Sequence, residues 1–85
     1  MKKLVEARVG DSGTVVKVEG EGKIRRRLFD MGVTPRAQLF VRKKAPLGDP
    51  IEITIRGYEL SLRKEEAELV LVELEEGEAK WLDLH

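Results

Sequence analysis

Three consecutive arginines, Arg25, Arg26 and Arg27, stand in the stretch GKIRRRLFDMG at residues 22–32. Guanidinium groups bind carboxylates and phosphates through forked, charge-assisted hydrogen bonds. The stretch therefore reads either as a contact for an acidic or phosphate-bearing partner or as a solvated helix face. Other reactive side chains are scarce. Cysteine is absent and the single histidine is His85, the last residue of the sequence. Thiolate chemistry, iron–sulfur clusters and sites of imidazole and thiolate ligands are excluded on that count. Glu65, Glu66 and Glu68 crowd one short turn with no nucleophile or histidine nearby, which is not an acid–base constellation. GEGK at 20–23 resembles a phosphate-binding loop only in part, because Lys17 stands where glycine is required and Ile24 where serine or threonine is. No catalytic residue, cofactor site or metal-ligand set is expected, and the protein must act by contact.

Charge bears on the kind of contact. The chain carries 16 basic and 16 acidic residues, whereas nucleic-acid readers usually show a basic excess on one face. Neutrality hides an asymmetry, since residues 1–64 hold 15 basic and 8 acidic groups and residues 65–85 hold 1 basic and 8 acidic. The expected organisation is one domain over residues 1–74 and an acidic tail over 75–85. No apolar run approaches the roughly 20 residues that span a bilayer, and MKKLVEARVG lacks the apolar centre of a secretory signal. A cysteine-free chain of this kind points to the cytoplasm.

The elements that must hold the arginines follow from periodicity. GDSGTVVKVEG (10–20) opens with a turn and continues as a β-branched run, read as a strand with Val16 and Val18 on one face. Ile24, Leu28 and Met31 fall at i, i+4 and i+7, giving a helix with one apolar face. Gly32 suits the left-handed position after it, Val33 packs back on Leu28, and Pro35 prevents resumption. AQLFVRKK (37–44) and IEITIR (51–56) are strands joined by APLGDP, then YELSL alternates, RKEEAE makes one helical turn, and LVLVEL (69–74) is the last strand. The sum is a mainly β fold, a small five-stranded, partly closed barrel with one short α-helix after the first strand and a helical turn before the last. Ile24, Leu28, Met31, Val41, Ile53, Ile55, Leu60, Leu62 and Val70 are its expected core.

On a helical wheel Arg25 and Arg26 point away from the apolar stripe and Arg27 lies at its edge. Arg26 and Asp30 are an i, i+4 pair worth about 0.3–0.5 kcal/mol. Phe29 falls on the outer flank beside Arg25, and the alternation of Ala37, Leu39 and Val41 turns Phe40 outward. The two phenylalanines form an interaction patch or are covered by Trp81, Leu82 and Leu84. Leu47, at the tip of APLGDP, either joins the patch or, the preferred reading, folds back over the barrel mouth. Arg25, Arg26, Phe29 and Leu47 are the candidate partner-binding residues.

RRRLFDMGVTP (25–35), APLGDP (45–50) and RGYELSLRKEEAELVLVE (56–73) together resemble the FeoA family of small ferrous-iron-transport proteins, over about residues 4–73. The resemblance implies an SH3-like barrel acting as a cytoplasmic accessory to FeoB, a membrane iron transporter with a cytoplasmic GTP-binding region. Homo-oligomers are compatible with it. The family commonly places glycine after Pro35. Arg36 here favours a type I turn, since type II needs φ > 0 at that position. The resemblance extends to the SH3-like C-terminal domains of metal-dependent repressors, for whose DNA-binding part the chain has no room. A second reading rests on VGDSGTVVKV (9–18), which is similar to the start of a KOW-type RNA-binding barrel. The basic body favours it. The acidic tail and the four aromatics, Phe29, Phe40, Tyr58 and Trp81, few of them among basic residues, stand against nucleic acid.

Overall fold

The computed structural model describes residues 1–75. The acidic tail, with Trp81, Leu82 and Leu84, lies outside the described residues from position 76 onward. The chain runs β1 (Lys2–Lys3), a 3-10 turn (Leu4–Glu6), β2 (Ser12–Val18), α1 (Gly22–Asp30), β3 (Gln38–Lys44), a second 3-10 turn (Pro46–Gly48), β4 (Ile51–Ile55), β5 (Tyr58–Leu62), α2 (Lys64–Ala67) and β6 (Val70–Glu75). All strand pairs are antiparallel in one six-stranded sheet ordered β1-β6-β2-β3-β4-β5, bent but not closed. The five strands expected from periodicity are all present. The sixth, β1, is two residues long, below the length at which alternation can be read, and pairs Lys2 with Val72 and Lys3 with Leu71.

Period-2 patterning builds the core. In β4, Ile51, Ile53 and Ile55 are buried and face Leu62 and half-buried Leu60 of β5 on one side and Val41 and Leu39 of β3 on the other. Of the expected core, Leu28, Val41, Ile53, Ile55, Leu62 and Val70 are buried together, and Met31 and Leu60 pack against them half-buried. Ile24 is a correction. It is half-exposed in the first turn of α1, outside the core cluster, because the helix reaches the core through its C-terminal half at Leu28. Val16 is another. The register slips between Val15 and Lys17 where β2 pairs with β6, and such a bulge shifts the alternation by one residue. Val15 and Val18 therefore point inward, and Val16 is 41% exposed.

The close passage of β2 against β6 explains Gly13. A Cβ there would sit 2.5 Å from the Glu73 carbonyl oxygen, a backbone atom that cannot move aside.

Candidate partner-binding site

Helix α1 is nine residues long, too short to persist without tertiary support. At its C-terminus the Gly32 amide donates to the Phe29 carbonyl (2.9 Å) and the Val33 amide to the Leu28 carbonyl (2.9 Å), with Gly32 at φ +93°. This is the Schellman arrangement, and Val33 beneath it is fully buried. The β4–β5 turn then supplies an external clamp. The Arg56 Nε donates to the Gly32 carbonyl (3.0 Å), its Nη2 to the Thr34 hydroxyl, and the Tyr58 hydroxyl to the Met31 carbonyl. A third attachment comes from α2, where Arg27 Nε lies 3.6 Å from Glu66 Oε2.

These attachments fix what each arginine can do. Arg25 donates from Nε to the Val18 carbonyl (3.2 Å), and its guanidinium lies over the Phe29 ring at 4.5 Å from the centroid. The pair is a preassembled cation–π unit, with Phe29 half-buried against the core below and Arg25 outside. The outward Phe29 expected from the wheel is thus only half outward. Arg26 is exposed and, among the described residues, has no hydrogen bond or ion pair. The expected Arg26–Asp30 bridge is not among the ion pairs of the described residues, in line with the poorer orientation when the cation precedes the anion on a helix. Arg27 is held by a carboxylate that is only 5% exposed.

Leu47 overturns the preferred reading of its loop. It is 95% exposed with φ +67°, so it projects from the β3–β4 tip and does not fold back over the barrel. The loop is tied to α2 by the Lys64 amide donating to Asp49 Oδ1 (3.1 Å). A cleft lined by Arg27, Asp49, Pro50, Ser61, Arg63 and Glu66 joins that loop to α1. The structure therefore brings Arg25 and Phe29 together, leaves Arg26 on the same helix without a partner among the described residues, and puts Leu47 on a separate loop.

A family model of the FeoA domain matches residues 2–74. The chain belongs to the FeoA family. It is 40% identical over 72 residues to a fusion of Fe(2+) transport protein A with Fe(2+) transporter FeoB from Porphyromonas gingivalis; the match covers 85% of this chain and spans 8% of that protein's length. The solution structure of FeoA from Chlorobium tepidum is 44% identical, with a TM-score of 0.79 over 86% of this chain and 70% of that one. A zinc complex of FeoA from Stenotrophomonas maltophilia, described as a procaryotic SH3 domain protein, is 26% identical with a TM-score of 0.74 over 86% and 91% of the two chains. The mainly β, SH3-like fold of the FeoA family is therefore this chain's fold.

Two features of this FeoA domain were not legible in the sequence. Glu66 is buried because its Oε1 accepts from the Arg63 amide (2.8 Å), capping α2, while Oε2 turns toward Arg27. The only local signal is an acid three residues beyond the turn start, without the usual Ser or Thr at the cap. Arg36 adopts φ +78°, and the Ala37 amide donates to the Thr34 carbonyl (3.0 Å). The turn is type II despite the arginine. Its ends are fixed by the Arg36 amide on the Val15 carbonyl (2.7 Å) and the Val15 amide on the Ala37 carbonyl (2.8 Å), which override the local preference. Among the described residues, no helix is long and apolar enough to cross a membrane, and no group of three or more His, Cys, Asp or Glu is placed to hold a metal ion.

Proposed function

We propose that this chain is a non-enzymatic, cytoplasmic accessory of ferrous iron uptake that acts by touching the cytoplasmic GTPase region of a FeoB-type transporter. The observation that carries the reading is the relative in which the same domain and FeoB are one polypeptide, since covalent fusion holds two modules at high effective concentration and is useful where they act in contact. Arg25, Arg26, Phe29 and Leu47 are the proposed contact. Apolar groups give affinity when desolvated, and guanidinium groups select acidic surfaces. The helix offers Arg26 with no competing bond among the described residues, the stacked Arg25–Phe29 pair offers a rigid amphipathic face, and Leu47 offers an extended apolar probe.

Arg26→Glu and Leu47→Ala are the cleanest tests, because neither residue supports the fold. Titration of labelled protein with a FeoB cytoplasmic region should show weaker binding for both, with the Arg26→Glu loss larger at low salt. Affinities equal to wild type for both variants would make α1 a solvated face and the loop tip incidental.

A further inference from the structure

Glu66 is the one charged residue buried among the described residues. Its cap on α2 uses Oε1 alone, and the side-chain oxygen of a glutamine would accept from the Arg63 amide equally well. The negative charge therefore serves Oε2, which is buried, accepts no hydrogen bond among the described residues and faces Arg27 Nε at 3.6 Å. A pair of that length, with an arginine whose side chain is 67% exposed, adds little stability to set against the burial of a carboxylate. What it supplies is orientation. A guanidinium engaged at Nε keeps its Nη1–Nη2 edge, a two-pronged donor, open, and neither Nη of Arg27 has a hydrogen bond or ion pair among the described residues.

Arg27 lines two adjoining clefts. One runs to Asp49 and Pro50, and the other, of about 540 Å³, is lined by Lys23, Ile24, Arg27, Arg63, Glu65 and Glu66. The side chains of Lys23 and Arg63 are exposed and likewise unpaired among the described residues. This second cleft sets three cations against two carboxylates, whereas the first is balanced, two against two. Ile24, half-exposed and outside the core, is its apolar wall.

We infer that the cleft between α1 and α2 binds a single acidic side chain of a partner protein, its carboxylate on Arg27 and Arg63 and an apolar neighbour on Ile24, with Glu66 as the positioning residue that holds Arg27 for it. The inference rests on the contact reading above for the source of the acid, and adds the site that receives it. A surplus of one positive charge suits a monoanion. A chain of phosphates would meet Glu65 and, in the adjoining cleft, Asp49. An arginine already oriented also loses less side-chain freedom on binding than an unheld one such as Arg26.

The test titrates the full chain, labelled with ¹⁵N, with the capped peptide Leu-Glu-Leu and its neutral counterpart Leu-Gln-Leu. Saturable shifts should centre on the side-chain Nε–Hε signals of Arg27 and Arg63 and on the Ile24 amide. The neutral peptide and the Arg27→Lys variant should each weaken binding about tenfold, the scale of one charge-assisted hydrogen bond. Because lysine keeps the charge, that loss reports the fork. Glu66→Gln decides the positioning role by its sign. Removing a carboxylate from the site would by charge alone tighten the binding of an anion, so a loss of about threefold reports that Arg27 has lost its orientation. The inference is overturned by no saturable binding, by shifts centred outside the cleft, for example on Phe40, which is 44% exposed and lines neither cleft, by equal affinities for the two peptides, by Glu66→Gln binding as tightly as wild type or more so, or by inorganic phosphate occupying the cleft more tightly than the peptide. Arg27→Lys should weaken the FeoB titration by the same factor. A chain that takes the peptide in the cleft and does not bind the FeoB region sinks the FeoB reading alone, and one that binds that region equally with and without Arg27→Lys sinks the cleft alone.

Discussion

Gly32→Ala gives the sharpest test of how α1 is held. Two costs apply at that position. The backbone φ of +93° is left-handed, and alanine pays about 1–2 kcal/mol there. A Cβ would also lie 2.5 Å from the Tyr58 hydroxyl and 3.3 Å from Arg56 Cδ. The hydroxyl must move, which breaks its bond to the Met31 carbonyl, worth about 0.5–1.5 kcal/mol. The expected loss is therefore about 1.5–3.5 kcal/mol from the two contributions together. Tyr58→Phe alone removes only the hydrogen bond and should cost about 0.5–1.5 kcal/mol. In the double variant the bond is lost once, not twice, so Tyr58→Phe should add almost nothing on the Gly32→Ala background. Urea unfolding followed by far-ultraviolet circular dichroism measures all three variants, and the cycle isolates the coupling. Strictly additive costs, or a Gly32→Ala loss under about 0.5 kcal/mol, would refute the clamp, because each contribution alone exceeds or equals that figure.

Leu28→Ala should cost about 2–5 kcal/mol, the range for a leucine truncated in a closed core, since Leu28 is fully buried; Ile24→Ala, half-exposed on the same stripe, should cost under half as much in the same denaturation series. The isolated chain should show no stoichiometric micromolar Fe²⁺ site by anaerobic calorimetry and no GTP turnover above a mock-purified control, having neither soft ligands nor a phosphate loop.

Strong local signals carried most of the fold. The alternating isoleucines of β4, the Gly32 stop and the pairing of β3 with β4 each follow from a few adjacent residues. What the sequence left hidden depends on distant partners. Val16 reads as an inward residue until the bulge against β6 is known, and Arg36 reads as a type I turn until Val15 fixes both ends of the loop. In the candidate site the arginine faces were legible from the wheel, as was the outward Phe40. The stacking of Arg25 on Phe29, the burial of Glu66 beneath Arg27 and the projection of Leu47 were not, because each is decided by another element packing nearby or failing to.

The clamp on α1 also ties the order of assembly to the sequence. Met31 and Tyr58 are 27 residues apart, and Gly32 and Arg56 are 24 apart. A nine-residue helix that nucleates poorly alone thus gains the clamp on its C-terminal carbonyls only when the β4–β5 hairpin has docked. The helix and the hairpin should then exchange their amide protons as one cooperative unit. A nascent chain that ends before Tyr58 would carry the arginines on an unclamped helix, so the proposed contact surface matures only after most of the sheet has been made.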